Sequence, residues 1–182
     1  MMKENSIDIF PTRIWGFILN DHKYQSADYI EAIETIEKTE PSMRISNFGG
    51  YQTHPNLHTI PVFREYVSAI QNIASKCIDH PVKITEMWGN VNYKYCHNGA
   101  HTHGGALSGV FYLKAPANCG RLMLCNPAVR SDGQYIRQPN YPIVPENLAL
   151  IIFPSWLEHY VEPNLSDEKR ISISFNFGII KS

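Results

Sequence analysis

Apolar residues recur at two different periods along this chain, and the change from one to the other falls near Pro81. Residues 7–19 (IDIFPTRIWGFIL) are rich in β-branched and aromatic side chains and are interrupted by Pro11, which predicts an edge strand entering the fold. From Ser26 to Lys38, Ala27, Ile30, Ile33 and Ile36 fall at helical spacing, and Pro41 ends the run. Residues 42–59 carry the Gly49-Gly50 pair and little periodicity, which predicts loop. A second helix is predicted from Pro61, where Phe63, Tyr66, Val67, Ile70, Ile73, Ala74 and Cys77 form one apolar stripe that needs a sheet to cover it.

Beyond Pro81 the period shortens to two. Alternating runs at 82–95, 106–114, 120–125, 141–145, 148–153, 157–163 and 170–180 are separated by Gly, Pro and Asn. Helices first and then seven or eight closely spaced strands predict an α+β, mainly β chain: a sandwich or barrel with the helices packed on one sheet. In 170–177 one parity reads Arg170, Ser172, Ser174, Asn176 and the other Ile171, Ile173, Phe175, Phe177. In 88–93, Trp88, Asn90 and Asn92 alternate with Gly89, Val91 and Tyr93, without the Lys and Glu of a solvated sheet. Short uncharged polar side chains on one face suit a ligand-filled interior, and the apolar faces would meet the helices.

Length changes this picture only by bounding it. A chain of 182 residues suits one domain, read as an N-terminal strand and supporting helices over 1–80 and a β core over 81–182. Sixteen basic residues nearly balance seventeen acidic ones, so no global field draws in nucleic acid or an anionic membrane. The first ten residues lack the apolar core of a signal peptide, and no window is apolar enough to span a bilayer; a cytoplasmic location is the default expectation. Cys77, Cys96, Cys119 and Cys125 include no CxxC pair, so reduced, buried thiols are expected rather than a zinc ribbon.

Candidate chemistry rests on three of the eight histidines. His101 and His103 are one residue apart, so in an extended segment both imidazoles project to one side, as two ligands of one metal require. His159 shares its parity with Leu157 and Val161, which points it inward, while Glu158 faces the other way. Arg170 opens the polar-faced strand. A guanidinium buried there needs a partner, and with no obvious carboxylate on that face the economical one is an anionic ligand, held bidentately with help from Ser172.

These residues resemble a known family. His101-Thr-His103-Gly-Gly-Ala-Leu-Ser-Gly-Val-Phe-Tyr112, Phe153-Pro-Ser-Trp-Leu-Glu-His159 and Arg170-Ile-Ser-Ile-Ser-Phe-Asn176, with Ser46-Asn-Phe-Gly-Gly-Tyr-Gln52 and Trp88-Gly-Asn90, are similar to the 2-oxoglutarate and iron(II)-dependent oxygenases of bacteria and marine phages over residues 46–177. The resemblance implies a double-stranded β-helix (jelly-roll), iron(II) bound at its mouth, 2-oxoglutarate as cosubstrate and O2 as oxidant. It implies His101 and His159 as metal ligands and Arg170 with Ser172 as the carboxylate clamp, with Asn90, Asn92 and Tyr112 as further contacts to the cosubstrate. The wider superfamily carries His-x-Asp, and here His103 stands at the Asp position, with no Asp or Glu from 94 to 108. A site of three histidines is one unit more positive than the usual triad.

Two other functions fit parts of the pattern. A cupin-type dioxygenase uses three histidines without 2-oxoglutarate, but wants a Glu where Leu107 and Ser108 stand and has no use for Arg170. A non-catalytic metal-binding jelly-roll module needs only the histidines. The partner expected of an oxygenase is a small-molecule or peptidyl substrate; neither membrane nor nucleic acid is expected, and a homodimer is allowed. Residues 126–140, with Arg130, Tyr135 and Arg137, are expected to form a long polar connection, either a loop at the mouth that recognises substrate or a plain surface loop.

Overall fold

The computed structural model describes residues 11–20, 27–127 and 140–180. Among the described residues, eleven strands form two antiparallel sheets. The larger has the order β1 (Trp15–Ile18), β9 (Ala149–Pro154), β6 (Leu107–Lys114), β11 (Arg170–Ile179), β4 (Val82–Asn92), β3 (Tyr51–Gln52). The smaller has the order β2 (Asn47–Phe48), β5 (His97–His101), β10 (His159–Val161), β7 (Leu122–Cys125), β8 (Asn140–Ile143). Two helices among the described residues, α1 (Ala27–Thr39) and α2 (Arg64–Ile78), precede the long strands. The architecture is the expected double-stranded β-helix.

The period-two pattern of β11 organises the core. Ile171, Ile173, Phe175 and Phe177 are fully buried in one cluster with Tyr29 and Ile33 of α1 and Tyr66, Ile70 and Ala74 of α2. The predicted helical stripes therefore lie on the outer face of the larger sheet, as their periodicity required. The inner face joins a second cluster, in which Val110, Ile151 and Phe153 meet Leu122 and Leu124 of the smaller sheet. α2 also supplies the hydrogen bonds that the start of β4 lacks on its free side: Ser75 Oγ accepts from the Val82 N–H at 3.1 Å and Gln71 Oε1 from the Ile84 N–H at 2.8 Å. Further along, Thr53 and Pro55 pair with Gly89 and Met87, so little of that edge is bare.

Several expectations need correction. Residues 42–59 are not all loop: they hold β2, β3 and a 3-10 turn at Leu57–Thr59. Strands of two residues carry no periodicity to read, and their pairing with β5 and β4 is decided by tertiary contact. The first eighty residues thus supply edge strands to both sheets as well as supporting helices. The second helix starts with a 3-10 turn at Pro61–Phe63 and becomes α-helical at Arg64. β5 was not separated as a strand in the sequence. Of the four free cysteines only Cys119 is buried, the others being part-exposed. Residues 7–10 of the predicted first strand, and Arg130, Tyr135 and Arg137, lie outside the described residues. No helix among the described residues is long and apolar enough to cross a membrane.

Gly109 marks how tightly the outer face is packed. It pairs with Phe175, whose ring lies over it, and a Cβ there would run into that ring and stand 2.6 Å from the Ile151 carbonyl oxygen. Gly109→Ala should cost about 2–3 kcal/mol, since neither a core ring nor a ladder carbonyl can give way. Urea unfolding followed by circular dichroism measures it.

Candidate metal and cosubstrate site

Between the sheets lies a small cavity of about 50 Å³. His101 ends β5, His103 stands two residues beyond it, and His159 opens β10, directly paired with His101. One ligating nitrogen from each of the three lies within 4.8 Å of the others. The parity reasoning holds for both members of the His-x-His pair, although they belong to a strand and the turn after it.

Two of the three are oriented by their own backbone. Nδ1 of His101 lies 2.7 Å from the Gly99 carbonyl oxygen and Nδ1 of His159 lies 2.9 Å from that of Leu157. A carbonyl only accepts, so each Nδ1 carries the proton and each Nε2 is left with a free lone pair, the tautomer a metal ligand needs. The backbone N–H of His103 donates to the Ser155 carbonyl at 2.9 Å, and its ring lies between those of Trp88 and His159, at 5.5 and 5.1 Å. Burial, with the His101 charge second, pushes His103 down to about 4. Burial also pushes His159 down to about 3, against the Leu157 hydrogen bond and together with the neighbouring histidines. Both are neutral bases at ordinary pH.

Arg170 lies at the opposite end of the cavity and is 2% exposed. Nη1 donates to the carbonyls of Cys119 and Gly120 at 3.0 and 3.2 Å, while Nε is buried with no partner. Among the described residues no carboxylate pairs with it. The chain's partial answer to the buried charge is thus two carbonyl dipoles, which sequence reasoning did not foresee. The loop that presents them fits only because Gly120, at a φ of 84°, lies against the Glu162 and Pro163 backbone where a Cβ has no room.

Ser172, Asn90, Asn92 and Tyr112 line the same cavity. They form cross-strand rows: Arg170 faces Asn92, and Ser172 faces Asn90 on one side and Tyr112 on the other. Burial lifts the Tyr112 phenol to about 12, with Arg170 opposing, so it stays a neutral donor. Asn92 Nδ2 donates to Asn98 Oδ1 and Asn98 Nδ2 to Ser46 Oγ, both at 3.3 Å, while Asn92 Oδ1 is buried without a partner. Ser46 and Asn98 escaped the sequence reading because they arrive through β2 and β5. Ser174, by contrast, stood on the polar parity already recognised.

The donor set fits the group implied. Three imidazoles at a cavity mouth suit a divalent metal of intermediate softness, and an orphaned guanidinium N–H deep in the same cavity suits the far end of an anion. No carboxylate joins the three histidines among the described residues.

Fold and site together define a metal-dependent oxygenase of the double-stranded β-helix class. Residues 86–176 match the model of the 2OG-Fe(II) oxygenase family, half of the chain, and the protein belongs to that family. It is an iron(II)- and 2-oxoglutarate-dependent oxygenase, the first of the three readings that the sequence allowed. No curated protein matches the chain in sequence. Among solved structures, the fold is similar to the non-heme α-ketoglutarate-dependent epimerase SnoN from nogalamycin biosynthesis, at a TM-score of 0.71 and 14% identity over 92% of this chain and 78% of that one. It is similar to a Pseudomonas putida prolyl-4-hydroxylase, at 0.67 and 13% over 93% and 94%. It is also similar to HygX from Streptomyces hygroscopicus, solved with nickel and 2-oxoglutarate bound, at 0.66 and 11% over 92% and 83%.

The depressed histidines have a consequence for the metal-free protein. An unfolded histidine takes up a proton near pH 6.5, whereas His103 and His159 in the fold resist it down to about 4 and 3. Stability is therefore full above pH 6.5 and falls as pH drops toward those values, because the unfolded chain binds protons that the fold refuses. Urea unfolding of metal-free protein should lose on the order of 2 kcal/mol from His159 between pH 7 and 5, and His159→Asn should flatten that slope.

Proposed function

We propose that His101, His103 and His159 hold the iron through their Nε2 atoms, and that Arg170, with Ser172 and Tyr112, holds the far carboxylate of 2-oxoglutarate. The observation that carries this reading is the pairing, in one cavity, of three imidazoles presenting free nitrogens with a buried guanidinium whose Nε has no partner. Asn90 and Asn92 are read as polar contacts along the cosubstrate's length. The described chain is read as one domain, with residues 1–80 bracing and edging the core over 81–182.

Each residue has a distinct task. The Gly99 and Leu157 carbonyls fix the tautomers of His101 and His159, so no proton need leave these rings before a metal binds. Arg170 orients the cosubstrate from beyond the metal's own ligands, and the Cys119 and Gly120 carbonyls hold the guanidinium ready. Phe153 and Leu122 wall the cavity and keep water from it. When bound, iron(II) with 2-oxoglutarate and O2 supplies an oxidant able to attack a substrate C–H bond, with succinate and CO2 as products. Hydroxylation of a small-molecule or peptidyl substrate is the outcome this site supports best.

His101→Ala and His159→Ala should abolish tight iron(II) binding. His103→Asp should retain it, because a carboxylate fills the same position, and His103→Ala should weaken it; metal analysis after desalting decides. Equal affinity in wild type and His103→Ala would reduce the set to two histidines.

Arg170→Ala should raise the dissociation constant of 2-oxoglutarate at least about tenfold, with metal content nearly unchanged. Arg170→Lys should recover part of the loss, a point charge matching a planar carboxylate less well than the guanidinium fork. Anaerobic titration of the iron protein, following the metal-to-ligand charge-transfer band, tests both. Undiminished binding in Arg170→Ala removes the clamp.

A further inference from the structure

One inward row of the larger sheet enters the site described so far only through its Ser108 and Phe153 end. Glu86, Asn176, Ser108 and Phe153 face one another across β4, β11, β6 and β9, one step outside the row that holds Trp88 and Ser174. A two-residue step along a strand is about 6.6 Å. Arg170 and Asn92 form the innermost row, so Glu86 stands at the other end of the same face, in the row whose Phe153 packs against His159.

Three members of the row are joined in a hydrogen-bonded chain. Asn176 is buried; its Nδ2 donates to Oε2 of Glu86 at 2.7 Å, and its Oδ1 accepts from Ser108 Oγ at 2.7 Å. Ser108 Oγ also meets Ser155 Oγ at 2.9 Å, and the Ser155 carbonyl is the one that takes the His103 N–H. Phe153, at the row's end, packs edge-on against His159 with ring centroids 4.8 Å apart. One end of the row is thus tied to two of the three histidines, and the other end is an exposed carboxylate.

That carboxylate is oriented without being neutralised. Asn176 fixes one oxygen, and among the described residues no lysine or arginine pairs with Glu86, although four other acidic residues have such partners. The indole of Trp88 lies one row inward on the same strand face, beside His103. Gly104, in the His-x-His turn, is exposed, and a Cβ there would meet nothing within 4 Å.

We propose that Glu86 is a specificity-determining residue that selects substrates bearing an ammonium or guanidinium group, held on its uncommitted carboxylate oxygen beside the Trp88 ring. The proposal rests on the reading of the three histidines as the metal site. A charge-assisted bond is about twice as strong as a neutral one, an indole face adds attraction for a cation, and a carboxylate already fixed by a buried amide gives up little freedom on binding. An anionic substrate meets repulsion at the same point. With Glu86 one strand step beyond the level of Trp88, the oxidised C–H bond lies a few bonds from the charged group.

The test uses full-length protein loaded with Mn(II) and 2-oxoglutarate without iron, so that the paramagnetic ion broadens the proton resonances of any small probe held beside it. The probes are butylammonium, butylguanidinium, butanol and butyrate. The two cations should be broadened in wild type and the other two should not. Glu86→Gln, which keeps an acceptor for Asn176, should weaken the cations about tenfold while leaving the melting temperature and 2-oxoglutarate affinity unchanged. Glu86→Lys should turn the preference toward butyrate. Equal broadening of all four probes, broadening of none, or undiminished cation binding in Glu86→Gln overturns the proposal. Failure of wild type to bind Mn(II) or 2-oxoglutarate, measured separately, strikes the metal-site reading itself and this proposal with it.

Discussion

The structure hangs on the register of β11 between β4 and β6. Because strand side chains alternate strictly, one pairing decides two things at once. Ile171, Ile173, Phe175 and Phe177 go outward under the helices, and Arg170, Ser172, Ser174 and Asn176 go inward among Asn92, Asn90, Trp88 and Glu86. A slip of one residue would bury the serines under α2 and put phenylalanines into the cavity. The apolar face that stabilises the fold is therefore also what fixes the polar rows of the site, and close contacts such as Phe175 over Gly109 leave that register little freedom.

The site's electrostatics follow from burial with few formal charges. His103 and His159 are kept neutral by desolvation, and backbone carbonyls choose the tautomers of His101 and His159. Arg170 is the exception, a cation 2% exposed whose only protein partners among the described residues are two carbonyl oxygens. Removing such a charge from water costs several kcal/mol. Two dipoles offset part of that, and the proposed role of Arg170 has an anionic cosubstrate offset the rest. The same accounting bears on His103, at the position where the wider superfamily has a carboxylate: the three histidines bring no negative charge to the cavity, and the acidic side chain on the inward rows of the larger sheet is Glu86.

Fold and chemistry meet in the loops at the strand ends. Ser155 links the turn that precedes His159 to the His103 backbone and, through its hydroxyl, to Ser108 and Asn176. Two histidine-bearing segments that are fifty-six residues apart in sequence are thus held to one another by neutral hydrogen bonds rather than by packing alone. At the other end of the cavity the Cys119 and Gly120 turn grips the guanidinium in the same manner.

Sequence alone determined which elements are helices, where the long strands lie and which of their faces is polar, because these depend on periods of 3.6 and 2 that a single chain displays. It also determined the inward direction of His101, His103, His159 and Arg170, since parity is local. It left open what only long-range pairing decides: the two-residue strands β2 and β3, the arrival of Ser46 and Asn98 in the cavity, and the carbonyls that receive Arg170. Nor could it join Glu86 to Asn176 and Ser108, residues brought side by side by sheet register alone. Two-residue strands have no period, and a carbonyl has no side-chain identity to read, so tertiary structure had to supply both.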